Sequence, residues 1–238
     1  MMHFSERRHR VDAVITGVFF IAAAVTSIIA LKLYQPAITG DDYLIQASRH
    51  AQPVIMGALH ELFLVVTASG TGIMLYPYLR RYNEQMGLAY FCFRLLEAIL
   101  ILIGTLSVLA IVSLSKAYTA NPIADVEIFK AVGSTLIAIH DWTFMLGPNF
   151  MLGINTFIYS YVFFKSRLIP RALSVIGIVG AIMIFIAAHL EMFGAMQQLS
   201  VGGVVMAIPI FIYEMSLAIW LIVKGFNKNA VAKLNNAD

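Results

Sequence analysis

Residues 87–113 read GLAYFCFRLLEAILILIGTLSVLAIVS. A bilayer's hydrocarbon core, about 30 Å thick, takes about 20 residues of helix to cross, so this run is long enough to span it. Comparable runs fall at 11–33, 53–76, 142–164, 172–194 and 203–224. Together they predict an all-α integral membrane bundle of six transmembrane helices forming a single domain over residues 1–238. Within 87–113 the only charges are Arg94 and Glu97, one helical turn apart. Glu61 and Glu214 interrupt two other runs in the same way. A charged side chain at the centre of a membrane helix costs about 2.5–3.5 kcal/mol on insertion scales, so such residues must pair, neutralise or reach water.

Composition agrees. The chain is 60% apolar and 12% charged, against roughly 45–50% and about 25% in soluble domains. Its basic residues lie in short clusters between the apolar runs, which fits membrane topology and gives no nucleic-acid surface. The single Cys92 cannot form an internal disulfide and is expected to be a small packing residue. The first run is longer than a signal-peptide core and has no small-residue cleavage site after it, so it reads as a retained first helix. Prolines punctuate the runs: Pro36 follows the first, Pro53 opens the second, Pro77 closes it and Pro170 precedes the fifth. Pro148 and Pro209 are internal and predict kinks that free the carbonyls of Phe144 and Val205.

The segment 125–141 mixes Ile128, Val132, Leu136 and Ile139 with Asp125, Glu127, Lys130, His140 and Asp141. Charge bias argues against a seventh crossing. With six spans and a cytoplasmic N-terminus, Arg7, Arg8, Arg10, Arg80, Arg81, Lys165, Arg167, Arg171, Lys224, Lys228 and Lys233 all face the cytoplasm, and Lys32, Arg49, Lys116 and Lys130 face out. A seventh span would abolish that asymmetry. Both termini are therefore expected in the cytoplasm. The 125–141 segment is expected to form an outer amphipathic helix, lying on the surface or running on into the fourth span.

Helical spacing sorts the polar residues by face. Gly57, Glu61, Ala68 and Gly72 share one side of the second span; Tyr90, Arg94, Glu97, Ile101 and Gly104 align on the third. Asp141, Asn149, Gly153, Thr156 and Ser160 form a stripe on the fourth, and Ser174, Gly177, Ala181, Ala188 and Glu191 a small-residue face on the fifth. Gly203, Ala207, Glu214 and Ala218 do the same on the last. Depth divides them into two layers. The inner one, Arg94, Glu97 and Glu214, is expected to be a buried ion network, since a guanidinium can serve two carboxylates. Its alternatives are a proton-relay or cation-coupling site and an anion site at Arg94.

The outer layer, Glu61, Asp141, Asn149 and Glu191, is expected to line an outward-facing cavity that binds ligand. His60, His140 and His189 lie beside these acids in sequence and invite a metal reading. None of them has the spacing of a zinc-protease or di-iron helix, and His189 falls on a lipid-like face. No metal ligand set is therefore assigned, His60 and His140 being the residues it would use. No phosphate-binding glycine loop, nucleophile elbow or membrane lysine for a Schiff base is present, and no catalytic residue is assigned.

Several segments are similar to a bacterial membrane family described as domain of unknown function 4386: Thr16-Gly17, Leu75-Tyr-Pro-Tyr-Leu-Arg80, Arg94-Leu-Leu-Glu97, Ser166-Arg-Leu-Ile-Pro-Arg171 and Glu214-Met-Ser-Leu-Ala-Ile-Trp-Leu-Ile-Val-Lys-Gly-Phe226. The resemblance covers nearly the whole chain and implies a bacterial inner-membrane protein of about six helices, with no activity to carry over. Many members carry a histidine in the fourth span where this chain reads Asn149-Phe-Met-Leu-Gly-Ile-Asn155, a departure that weighs against a metal role.

The expected function is thus that of a non-enzymatic or accessory membrane protein binding a small apolar or amphiphilic ligand among membrane lipids, with no cofactor; whether it is an enzyme is left open. The alternatives are a proton-coupled transporter using Glu97 or Glu214, which with six unrepeated helices would require a homodimer, and a membrane metalloenzyme using His60, His140 and the outer acids.

Overall fold

A computed structural model describes residues 2–121 and 125–235. Its elements are α1 (Met2–Ile38), α2 (Tyr43–Arg49), α3 (Ala51–Tyr82), α4 (Glu84–Ala120), α5 (Val126–Met145), a π-helical turn (Leu146–Met151), α6 (Leu152–Ser166), α7 (Arg171–Met192), α8 (Val201–Val223) and α9 (Lys228–Asn235). Among the described residues, five helices are long and apolar enough to cross a membrane: Arg7–Ile38 of α1, and α3, α4, α7 and α8. Helices suit that setting because every backbone N–H and C=O is paired within its own segment.

Several helices outrun the apolar runs that announce them. α1 and α4 have 37 residues each, about 55 Å at 1.5 Å per residue, so they extend well past a hydrocarbon core of about 30 Å. Pro36 and Pro77 do not end helices as expected; both lie inside, near the C-terminal ends of α1 and α3. Each removes one backbone hydrogen bond, a loss that neighbouring helices and local adjustment make tolerable in membrane helices. Pro53 in the first turn of α3 and Pro170 at the N-cap of α7 sit where expected.

The expected span 142–164 is not one regular α-helix. α5 runs without a break into the π-helical turn that holds Gly147 and Pro148, and α6 continues from it. A π-helical turn accommodates extra residue length per turn, so residue counts across it no longer follow 3.6 per turn.

The chain divides into two compact units. One comprises the described residues of Met1–Ala22, Thr67–Glu97 and Met145–Asp238. Its core is built on Phe20, Leu75, Leu79, Tyr90, Tyr159, Phe163 and Tyr213. Helices approach closely where glycines face them: a Cβ built on Gly17 would lie 2.6 Å from the Ala218 carbonyl oxygen, and one on Gly180 would lie 2.8 Å from the Ile210 nitrogen. The Arg10 guanidinium closes the C-terminal end of α8, donating to the Leu221 carbonyl at 3.1 Å and also to Ile222. A cation there meets the negative end of the helix dipole.

The other unit comprises Ala23–Val66 and Ala98–Phe144. Tyr34, Leu44, Val54, Val108 and Ile111 form its core. Ser115 donates to the Leu44 carbonyl and Tyr43 to that of Lys130 at 3.1 Å, tying α2 and α5 into the unit. α1, α3 and α4 each contribute residues to both units.

Large apolar side chains are exposed along the helices, among them Phe63, Val66 (63% exposed), Ile73, Ile99, Leu106 and Ile219. Soluble monomers rarely expose contiguous apolar surface on that scale; acyl chains are the solvent these faces suit. Cys92 is exposed, not packed as expected. Two residues before Arg94, it lies about 200° round α4 from the buried polar face.

Candidate functional site

In the first unit, α4 carries the charged face anticipated from its spacing: Tyr90, Arg94 and Glu97 are all buried. Arg94 Nη1 donates to Glu97 Oε2 at 2.9 Å. Arg94 Nε points back to α3, donating to Thr71 Oγ1 at 3.0 Å and the Ala68 carbonyl at 3.2 Å. Gly72 leaves room for the arginine stem, since a Cβ there would lie 3.4 Å from Arg94 Cγ. From α6, Asn155 Nδ2 donates to the same Glu97 oxygen. Asn155 is fully buried and was not among the expected site residues. Phe20 of α1 sits against the guanidinium, its ring centre 5.9 Å from Arg94 Cζ.

Glu214 of α8 completes the expected inner layer differently. Arg94 pairs with Glu97, and among the described residues no cationic side chain lies within 4 Å of Glu214. Its Oε1 is buried and makes no hydrogen bond. Arg94, Tyr90, Tyr159 and Tyr213 lie within electrostatic reach of it. Those tyrosines form a buried string: the Tyr90 and Tyr159 ring centres are 5.6 Å apart, Tyr159 and Tyr213 5.8 Å, and Tyr213 OH bonds Ser160 Oγ at 2.9 Å.

The outer residues separate by unit. Asn149, on the π-helical turn, donates to Glu191 Oε2 at 2.7 Å, and Glu191 Oε1 is buried without a hydrogen bond. In the other unit, Glu61 of α3 is half-buried. Tyr34 of α1 is 2% exposed, feels the Glu61 charge and meets the His140 ring edge-on at 5.9 Å. Its hydroxyl is buried, and its contact with Thr105 falls short of a well-formed hydrogen bond. His140 is buried, stacked on Phe144, with Nδ1 3.0 Å from Asp141 Oδ1. Gly104 faces this corner; a Cβ on it would meet Thr143 Oγ1 at 2.8 Å.

Asp141 itself has a side chain 66% exposed, so it does not continue the buried stripe of Asn149, Gly153, Thr156 and Ser160. The π-helical turn between them breaks the 3.6-residue count on which that stripe was drawn, and the neighbouring His140 takes the buried position.

His60 and His189 each turn Nδ1 onto their own helix, 2.8 Å from the carbonyls of Met56 and Phe185. His189 also packs against the Phe150 and Phe185 rings. Among the described residues, no three His, Cys, Asp or Glu side chains gather closely enough to hold a metal ion.

Long apolar helices with exposed greasy faces and buried polar clusters define a multi-pass membrane protein. The sequence profile described as "Domain of unknown function (DUF4386)" matches residues 15–225, and the chain belongs to that family. No curated protein and no solved structure matches it.

Proposed function

We propose that the chain forms one transmembrane domain of six spans in a bacterial inner membrane, with both termini cytoplasmic, and that it binds a small apolar or amphiphilic molecule. The α5–α6 helical stretch supplies the sixth crossing, which keeps the basic residues predominantly on one side. Helices shared between the two compact units support the single domain. Glu61, with Tyr34 and His140 beside it, is the ligand's polar anchor, and Asp141 orients the His140 imidazole. Asn149 and Glu191, in the other unit, form a polar pair of their own that offers a separate acceptor, Glu191 Oε1. The surrounding apolar side chains suit the ligand's tail.

The observation that carries this reading is the Tyr34 hydroxyl, buried beside a carboxylate and an imidazole, whose contact with Thr105 falls short of a well-formed hydrogen bond. A buried hydroxyl left unmade costs about 1–3 kcal/mol, and native interiors pair nearly all such groups with protein or bound molecules. A head group bearing an amine or hydroxyls would pair it and meet Glu61.

Tyr34→Phe distinguishes an anchor from a tolerated defect. For an anchor, native mass spectrometry of the wild type in mild detergent shows an adduct above the polypeptide mass. Added polar lipid extract then raises its melting temperature, and both effects vanish in Tyr34→Phe. If instead the wild type carries no adduct and Tyr34→Phe simply melts higher, the hydroxyl anchors nothing and the reading fails.

A further inference from the structure

Two turns of the first unit close on each other at one end of α7 and α8. Residues 167–170 join α6 to α7, and 224–227 join α8 to α9. The Asn227 N–H donates to the Leu168 carbonyl at 2.9 Å, and Leu168, Ile169 and Phe226 are sunk in the unit's core. The turns are thus pinned from below. Between them lies an open cavity of about 570 Å³, inside the roughly 300–1,000 Å³ range of small-molecule sites.

Arg167, Arg171 and Lys224 line the cavity with Trp220, and no acidic residue does. Among the described residues none of the three cations makes an ion pair. Capping α8 does not occupy them, because Arg10 already donates to the carbonyls of Leu221, Ile222 and Val223. Arg171 commits only Nε, to the Phe164 carbonyl at 3.4 Å, with its Cζ 5.1 Å from that ring's centre. α7 starts at the cavity's edge with Pro170 as N-cap, which has no side chain to cap the first N–H groups, so the positive end of its dipole adds to the field. Arg167 has φ 60° and ψ 30°, the left-handed region, and is the one non-glycine residue with positive φ among the described residues. Glycine is the usual occupant of such a helix end, and a Cβ there is strained. What arginine adds is a guanidinium at the cavity.

This setting calls for an anion, and its place in the fold says which. α7 begins at Arg171 and α8 ends at Val223, and both are long and apolar enough to cross a membrane. The cavity therefore lies where hydrocarbon gives way to headgroups, the level at which tryptophan is enriched. Basic pockets between membrane helices hold anionic lipid headgroups there, and a guanidinium fork matches two phosphate oxygens. We propose that Arg167, Arg171 and Lys224 bind the phosphate of an anionic phospholipid, with Trp220 against the start of its apolar part. The site belongs to the first unit alone and does not rest on the Tyr34 anchor.

Native mass spectrometry of the delipidated full chain in detergent tests the site, with phosphatidylglycerol, phosphatidylcholine of the same acyl chains, or inorganic phosphate added. The first phosphatidylglycerol should bind several-fold more tightly than phosphatidylcholine, whose choline cancels the headgroup charge, and excess inorganic phosphate should not displace it. Arg167→Gly should melt no lower than the wild type without lipid, because it relieves the left-handed backbone, yet lose most of the preference. Arg171→Gln with Lys224→Gln should lose it too. Arg7→Gln with Arg8→Gln removes as much charge from exposed positions at the start of α1 and should keep the preference. Tyr34→Phe should also keep it, so the two readings fail separately. Equal affinity for the two lipids overturns the site, as does a preference that survives Arg167→Gly or falls as far in the Arg7 and Arg8 variant. Displacement by inorganic phosphate would hand the cavity to a soluble phosphate compound and overturn the lipid.

Discussion

Replacing Arg94 with alanine will remove most of the folded protein from a detergent extract. The guanidinium joins α3 to α4 through Thr71 and the Ala68 carbonyl, and it neutralises Glu97, which in turn holds Asn155 of α6. Deleting it strands a carboxylate that is 4% exposed. Breaking one partner out of a buried pair costs about 3–5 kcal/mol, a large share of the 5–15 kcal/mol that typically separates folded from unfolded states. Arg94→Lys should retain part of the yield, since an ammonium keeps the charge but not the planar fork that reaches Glu97 and α3 at once. Arg94→Ala combined with Glu97→Gln should recover yield over Arg94→Ala alone, because the stranded charge is what costs most. Monodisperse protein recovered by size exclusion is the readout. Normal recovery for Arg94→Ala would remove the pair's structural role.

Gly180→Val should be the most damaging substitution outside the charged cluster. Even the first carbon of a side chain there would lie 2.8 Å from the Ile210 nitrogen and 2.9 Å from its Cα, both backbone atoms of α8. Backbone cannot swing aside as a side chain can, so α7 and α8 must part. Overpacking typically costs about 1–3 kcal/mol and occasionally more, and a β-branched residue against a rigid wall belongs at the upper end. A drop in melting temperature of several degrees is expected, with Gly180→Ala intermediate. A valine variant that melts with the wild type would mean that the two helices do not approach this closely.

Much of this architecture is readable from one dimension, and the reasons differ by residue. Five of the six apolar runs announce helices long enough to span, because only long hydrophobic stretches cross a bilayer economically. Their ends are not announced: hydropathy falls at the water interface while the backbone of α4 continues to Ala120. Arg94 and Glu97 were legible as a pair because their partnership is local, one turn apart. Asn155 was not, since its partner lies 58 positions away. Asp141 leaves the stripe drawn for it because the π-helical turn alters the count between α5 and α6 without leaving a distinct trace in composition. Tyr34 and Tyr159 escaped for another reason: a buried tyrosine reads as an apolar packing residue until the surroundings of its hydroxyl are seen.

Cys92 turns out to be useful because of where it faces. The chain has one cysteine, exposed on the side of α4 opposite Arg94 and half a turn from it. The unaltered protein therefore accepts a single nitroxide or fluorophore at a position that disturbs none of the buried polar groups. Collisional quenching of that probe by lipid-soluble oxygen and by a water-soluble paramagnetic reagent yields its immersion depth. Because Cys92 and Arg94 share a turn, the same number gives the depth of the guanidinium on the far side of the helix.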